Sequence, residues 1–481
     1  MKLTELLSPL NLNKKVVPDI KIHNIEFRSK AVEKGDIFVA IKGIHDDGHK
    51  YIQHAISNGA VAVIGEKEID DLPVPYIQVH DAREALGKMA TVYFNTPSSK
   101  HGMIGITGTN GKTTTAYMLH HLLQSSQRSC SLISTVANYI NGHEMNSTAT
   151  TPNVLELQKM LQVSTDEFAV VEVSSHGLDQ KRLEGVEFDF TIFTNLSHDH
   201  LDYHKTLEDY FLCKSKLFYK LKPNGIAVIN SSCSWGKRLV DKLRGDGLNV
   251  YTYGVKDSDN LQLINDNKST IKVKWLQNEW NVELPLPGIY NTHNALASIL
   301  VALAIGVDVP SIQKAMKTFT GVPGRFEVHR HSSGITFIVD YAHTPDGLEK
   351  FLHTVKSFQP RKLIHIFGLR GNGDPSKRAL MLETSIKHSD EVILTMDDLN
   401  GVKQASMSLE LEALSTSYGK NKTQIITDRT RAIEYAWKNA KPGDFIVITG
   451  KGPELYKESF IIPTKTDSET VKYLFSEQFE P

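Results

Sequence analysis

Gly105-Ile106-Thr107-Gly108-Thr109-Asn110-Gly111-Lys112-Thr113-Thr114 follows the short apolar strand that begins at Met103 and precedes a stretch of helical character from Thr115. Consecutive backbone N–H groups at such a helix start can cradle phosphate oxygens, Lys112 can reach the terminal phosphates, and Thr113 can offer a hydroxyl to Mg²⁺. The GxxxxGK[ST] spacing is missed by one residue, because Ile106 stands where its first glycine belongs. A glycine turn that merely caps a helix is the plain alternative. Gly-Lys-Thr-Thr directly after an apolar strand favours nucleotide binding over it.

Outward from this loop, apolar strands alternate with helical stretches: FAVVEV from Phe168, FDFTIFTNL from Phe188 and GIAVIN from Gly225. That alternation is the signature of a mostly parallel sheet covered by helices, so a domain spanning 102–324 is expected. Upstream, residues 35–64 read as strand, polar turn, helix and strand, and the polar segment Asn95-Thr96-Pro97-Ser98-Ser99-Lys100 closes a first α/β domain at 1–101. Downstream, the turn Gly321-Val322-Pro323-Gly324-Arg325 precedes a new strand series: TFIVDYAH from Thr336, LIHIFG from Leu363, EVILTM from Glu391 and FIVITG from Phe445. This makes 325–481 a third α/β domain, and no fixed-period repeat or low-complexity tract interrupts the pattern.

Composition excludes several classes. The 481 residues carry a formal net charge of −1, which favours neither a nucleic-acid-binding nor a polyanion-binding protein, and 40% hydrophobic against 23% charged residues is ordinary globular usage. Cys130, Cys213 and Cys233 have no CxxC spacing and are too few for a disulfide framework, so a reducing cytosol is the expected compartment. The start, MKLTELLSPLNLNKK, reads as no export signal, and no uncharged apolar run reaches the ~20 residues of a membrane span.

Two further segments carry chemistry. Glu172 lies inside the apolar strand Val170-Val171-Glu172-Val173, where a carboxylate is costly unless it binds a cation or is hydrogen-bonded. Asn195-Leu196-Ser197-His198-Asp199-His200-Leu201-Asp202-Tyr203-His204 ends another strand in a dense His/Asp cluster, at the sheet edge where open α/β folds place their ligands. Read alone, the first segment is equally a solvated strand end and the second a solvated loop.

Together, and in this order, these segments resemble the Mur ligases of peptidoglycan precursor synthesis, and within that family the MurE-type branch; the resemblance covers essentially the whole chain. It implies an α/β, three-domain architecture: an N-terminal UDP-binding domain, a central P-loop ATPase domain and a C-terminal Rossmann-like domain that brings in an amino acid. It implies an ATP-dependent acid–amino-acid ligase acting on UDP-N-acetylmuramoyl-L-Ala-D-Glu and a free amino acid through an acyl phosphate. Such an enzyme serves cell-wall construction, and hence cell shape and division, in the bacterial cytoplasm. A monomer is expected, with no nucleic-acid partner and no membrane span.

The resemblance also assigns residues. Gly108, Thr109, Asn110, Gly111, Lys112, Thr113 and Thr114 match the ATP phosphate loop, with Thr113 on one Mg²⁺. Glu172 and His200 match ligands of a second Mg²⁺, and Lys214 matches the lysine whose CO₂-derived carbamate helps hold it; Lys216 is the competitor, but the family spacing from the metal histidine selects Lys214. Asn291 and Asn294 match adenine-side asparagines, and Arg325 and Asp340 an interdomain arginine and a ribose-binding aspartate. Thr150, Thr151, Ser174, Gln180 and Arg182 match residues that bind the UDP-muramoyl dipeptide. Ser29 matches a serine near the uridine, although Arg28-Ser29-Lys30 replaces the family's Asp-Ser-Arg.

The amino-acid pocket is matched by Arg378, Gly450, Glu454 and the segment Asp397-Asp398-Leu399-Asn400. In diaminopimelate-adding members the last segment reads Asp-Asn-Pro-Arg, whose arginine is suited to clamping a distal carboxylate. With Asn400 there, and Asp397 and Asp398 read as anions facing the substrate, L-lysine or a similar diamino monocarboxylic acid is expected over meso-diaminopimelate. A same-fold alternative is a folylpolyglutamate-type or cyanophycin-type ligase, although Asp47-Gly48-His49 and the segment from Ser174 to Arg182 favour the MurE type. From another class, a P-loop switch would hydrolyse ATP without ligation.

Overall fold

Uninterrupted apolar runs become strands buried on both faces. That rule accounts for most of the sheets in the computed structural model, which describes residues 1–10, 12, 18–43, 46–419 and 421–476. Asn11 and residues 13–17 of the amino-terminal stretch, residues 44 and 45 of the 35–64 segment, and the expected C-terminal limit at Pro481 lie outside the described residues. The chain forms two compact units, one of residues 1–105, 128–191 and 216–225, the other of 106–127, 192–215 and 226–481.

In the first unit, Ile25–Glu26, Ile37–Val39, Ala62–Gly65 and Tyr76–Gln78 form a parallel sheet in chain order. Its two central strands are wholly buried, as their IFV and AVIG sequences require. Helix Ala82–Tyr93 starts where the Asp81 carboxylate accepts the Glu84 N–H at 2.8 Å, and buries Ala82, Ala85, Leu86, Met89 and Ala90 at helical spacing. The same unit holds Phe168–Glu172, parallel to Cys130–Ile133, which continues antiparallel through Ala137–Ile140 to His143–Asn146. The last turn is Asn141-Gly142, with φ of 53° and 78°, the pair that a tight hairpin needs.

In the second unit, helix Lys112–Ser125 packs on helix Ile289–Ile305. From Ile226 onward the strand Leu221–Asn230 runs parallel to Asn249–Gly254 and then to Leu261–Asp266, with antiparallel Thr270–Trp275 and Asn278–Glu283 beyond. A six-stranded sheet follows, ordered Glu327–Arg330, Thr336–Val339, Phe445–Thr449, Leu363–Leu369, Glu391–Met396, Thr423–Ile425, parallel except for its first strand. Its strand ends supply Asp340, Arg370, Asp397 and Gly450. Among the described residues no helix is long and apolar enough to cross a membrane.

Under this sheet, Arg429 and Asp467 form an ion pair with both side chains 0% exposed; Arg429 Nε and Nη2 lie 2.6 and 2.8 Å from the carboxylate, and Nη2 also donates to Thr449 O. Removing one partner of a buried pair leaves an uncompensated charge. Arg429→Met is therefore expected to destabilise the protein by about 3–5 kcal/mol, read as a fall in the urea midpoint. A fall no larger than that of the surface substitution Arg431→Met would refute the pair's role.

Candidate active site

The phosphate loop is built around two glycines that nothing else can replace. At Gly108 (φ 147°) an added Cβ would lie 1.9 Å from Thr194 Oγ1, and at Gly111 (φ 86°) 2.2 Å from Asn294 Oδ1. The following strand holds the loop in shape: Thr109 N–H donates to Asn195 O at 2.9 Å, Asn110 N–H to Asn195 Oδ1 at 3.0 Å, and Thr194 Oγ1 to Asn110 O at 2.7 Å. Helix Lys112–Ser125 starts at Gly111 with no side-chain cap, so its first amides face the loop as an anion site requires.

Two lysines converge here. Lys112 Nζ donates to Gly108 O at 3.0 Å and Thr109 O at 2.9 Å, and Lys214 Nζ donates to the same Gly108 O at 2.8 Å. Lys214 is 1% exposed on helix Leu207–Ser215, over the ring of Tyr210. Burial first, and the nearby charge of Lys112 second, push its amine well below the ordinary lysine range. Arg325 Nη2 donates to Thr113 Oγ1 at 3.1 Å, so the arginine that the family resemblance singles out meets the loop. Asn294 lies against Gly111 and donates to Asn291 Oδ1 at 3.3 Å, whereas Asn291 Nδ2 donates to Pro287 O. The Asp340 carboxylate accepts the Phe326 and Ala342 N–H groups, each at 2.7 Å, and burial raises its pKa.

The His/Asp cluster is held by residues that sequence reasoning did not single out. Asp199 is buried with Lys377 Nζ at 2.8 Å and with His200 Nε2 and His343 Nε2 each at 3.4 Å. Burial alone would raise its carboxyl; hydrogen bonding to His343 and the charges of His343, His200 and Lys377 outweigh burial and hold it well below the usual range. His198 contacts Asp374 and Ser376 at 3.2 and 3.0 Å. Among the described residues no group of three or more His, Cys, Asp or Glu is placed to hold a metal. The Thr113 hydroxyl is an oxygen donor of the kind Mg²⁺ takes, and the His200 imidazole, 3.4 Å from Asp199, would be a nitrogen donor.

In the first unit five of the expected dipeptide-binding residues, Thr150, Thr151, Ser174, Gln180 and Arg182, come together. Thr151 Oγ1 donates to Glu172 O at 2.8 Å and accepts the Ser174 N–H at 2.9 Å, Arg182 Nη1 donates to Thr151 O at 2.7 Å, and Arg182 Nη2 to Gln180 Oε1 at 2.8 Å. Glu172 is fully buried, accepting from Thr135 N–H at 2.6 Å, and Thr135 Oγ1 is 3.0 Å from Thr150 Oγ1. Ser29 opens the turn Ser29–Ala31, where its carbonyl accepts from Asn58 Nδ2 at 2.8 Å. Glu172 thus belongs to one unit, His200 and Lys214 to the other.

At the expected amino-acid pocket the structure corrects one premise. Asp397 and Asp398 are 3% and 2% exposed, and buried Lys451 Nζ lies 3.2 and 2.8 Å from them, so they are not open anions. Arg370 approaches Asp397 at 3.8 Å and pairs with Glu454, which also accepts from Tyr341 Oη at 2.9 Å. Arg378 pairs with Glu410 and donates to Arg370 O. Leu399 N–H donates to Glu458 at 3.0 Å, a bond that a proline could not make. Asn400 (φ 47°) donates to Gly371 O, and Lys457 Nζ is 3.2 Å from its amide oxygen. Gly450 has a φ of 106° beside Asp397. Lys451 and Arg370 were missed; the only signal was a cation at the end of an apolar strand.

Three domain families match: the Mur ligase family catalytic domain over residues 21–94, the Mur ligase middle domain over 106–302, and the Mur ligase glutamate ligase domain over 324–452. UDP-N-acetylmuramoyl-L-alanyl-D-glutamate–2,6-diaminopimelate ligases are similar along nearly the whole length. That of Caldanaerobacter subterraneus subsp. tengcongensis is 36% identical with 95% of each chain covered, and that of Aquifex aeolicus 40% identical with 91% and 90% covered. A solved structure described by the same ligase name superposes with a TM-score of 0.69 at 28% identity, covering 100% of both chains.

Proposed function

The chain belongs to the Mur ligase family, and we propose that it is the MurE-type member that adds 2,6-diaminopimelate to UDP-N-acetylmuramoyl-L-Ala-D-Glu in peptidoglycan precursor synthesis. As a Mur ligase it is an ATP-dependent enzyme that forms a peptide bond. The observation that carries the reading is the convergence of Lys112, Lys214 and the Arg325–Thr113 pair on one glycine loop. A phosphoryl-transfer site needs the cations of Lys112 and Arg325 and the amides of the loop, with Lys214 beside them as a buried amine. ATP and a nucleotide sugar as substrates put the reaction in the bacterial cytoplasm.

A carboxylate is a poor electrophile, so the D-Glu carboxylate first attacks the γ-phosphorus of ATP, and ADP leaves. The resulting acyl phosphate is attacked by the substrate amine, and the tetrahedral intermediate collapses with release of phosphate. In the first step two anions must approach. Lys112, the amides at the start of helix Lys112–Ser125 and Arg325 offset that repulsion and accept the charge gathering on the β–γ bridge oxygen. Mg²⁺ at Thr113, and at a second site to which His200 and a carbamate of Lys214 would contribute, supplies further neutralisation when bound. The residues fit that carbamate: the buried amine of Lys214 is disposed to be neutral, and its lone pair can attack CO₂, forming an N–C bond and releasing one proton. Thr150, Thr151, Ser174, Gln180 and Arg182 offer hydroxyls, an amide and a guanidinium to the muramoyl dipeptide.

The expectation of L-lysine rests on two premises, Asn400 in place of a clamping arginine and Asp397 and Asp398 as open anions. Lys451 between the two aspartates removes the second premise and leaves the first standing, and against it the relatives' names favour diaminopimelate. Direct competition of L-lysine and 2,6-diaminopimelate at equal concentration, read by mass spectrometry, is expected to give a diaminopimelate product in at least ~10-fold excess, the discrimination available from one charge-assisted hydrogen bond. A lysine-dominated product would overturn the substrate but leave the ligase. ATP turnover indifferent to the UDP-muramoyl dipeptide would overturn the ligase itself.

A further inference from the structure

We propose that Tyr341 is a positioning residue that couples occupancy of the phosphate loop to the amino-acid pocket. The proposal rests on the assignment of those two regions made above. Tyr341 follows the strand Thr336–Val339 and is held at both ends of its ring. The Arg325 guanidinium lies over its face, 3.9 Å from the centroid, while Arg325 Nη2 reaches Thr113 Oγ1 at 3.1 Å. The phenolic oxygen donates to Glu454 Oε1 at 2.9 Å, Glu454 pairs with Arg370, and Arg370 approaches Asp397 at 3.8 Å. A third contact fixes the ring laterally: His343 packs edge-on at 4.7 Å and its Nδ1 lies 2.8 Å from Tyr341 O. Burial, and then the Glu454 carboxylate, raise the phenol's pKa, so at neutral pH the hydroxyl remains a donor.

A tyrosine side chain has two soft torsions, and here its face, its edge and its tip are each engaged, so the ring cannot shift without moving both charged neighbours. Phosphate oxygens placed beside Thr113 attract the Arg325 guanidinium. Any displacement of that guanidinium is passed through the ring to the carboxylate of Glu454. Glu454 then orients against Arg370 at the place where the incoming amine must be held. The chemical gain is timing: an acyl phosphate formed while the amine site is unready is lost to water. By linkage the effect is reciprocal, so the amino acid must also tighten the nucleotide.

Tyr341→Phe keeps the ring and its cation contact and deletes only the hydroxyl. Binding of 2,6-diaminopimelate to the full-length protein is measured by calorimetry with and without the Mg²⁺ complex of the β,γ-methylene analogue of ATP, alongside KM for each substrate. The wild type is expected to bind the amino acid on the order of 5–20-fold more tightly with the analogue present, a common size for a coupling between sites. Tyr341→Phe is expected to lose that factor and to raise KM for the amino acid about tenfold, with KM for ATP within about twofold of wild type. Tyr341→Leu, which also removes the stacking surface, should raise both KM values. A Phe variant that keeps the wild-type coupling, a wild type with none, or a Phe variant whose two KM values rise together overturns the proposal. A wild type that binds the analogue but neither diaminopimelate nor lysine overturns the assignment of the pocket and the proposal with it.

Discussion

A Lys112→Ala enzyme is expected to form the UDP-muramoyl tripeptide about 10²–10³-fold more slowly than wild type, the usual cost of removing one preorganised transition-state charge. The loss is chiefly chemical, although the variant also gives up the Lys112 bonds to Gly108 O and Thr109 O. Thr109 and Asn110 remain bonded to Asn195, Thr194 still holds Asn110 O, and Asn294 still abuts Gly111. The amides therefore stay in place, while the γ-phosphate and the approaching carboxylate lose the cation that lets two anions meet. Initial rates of product and phosphate release at saturating substrates, with a thermal melt to confirm the fold, check this. Retention of near-normal product formation would remove Lys112 from the site.

What the sequence made legible was what local chemistry dictates. Gly108 and Gly111 had to be glycines because their backbones take positive φ against Thr194 and Asn294, and that strain is written into the Gly-Thr-Asn-Gly-Lys-Thr string itself. Glu172 announced itself as an acid inside an apolar strand, but its partner Thr135, 37 residues away, did not. The misreading of Asp397 and Asp398 has the same origin. Lys451 stands 53 residues downstream of Asp398, at the end of Phe445–Thr449, and reaches them only because Leu363–Leu369 pairs with both Phe445–Thr449 and Glu391–Met396. Charge compensation across a parallel sheet leaves no periodic trace along the chain. The Tyr341–Glu454 bond, spanning 113 residues, was invisible for the same reason.

Lys214 is the second large effect expected. Lys214→Ala should lower ligation by about 10²-fold or more, because the anion that a carbamate would place in the metal cage is gone. Lys216→Ala should change it by about twofold at most, since the Lys216 side chain is 55% exposed and its contact with Asp179, at 3.5 Å, is of the surface kind that contributes little. A fall in rate alone would not separate chemistry from packing, because Lys214 is buried beside Tyr210 and alanine leaves a hole there. Rescue separates them. Formate or acetate can enter the space vacated in Lys214→Ala and offer a carboxylate where the carbamate would stand. Lys214→Met fills the same space with an apolar side chain, so it should be equally slow but insensitive to added carboxylate. Activity restored in the alanine variant and not in the methionine variant identifies a missing anion. Equal insensitivity in both would make Lys214 a packing residue, and greater damage from Lys216→Ala would shift the assignment along the chain by two residues.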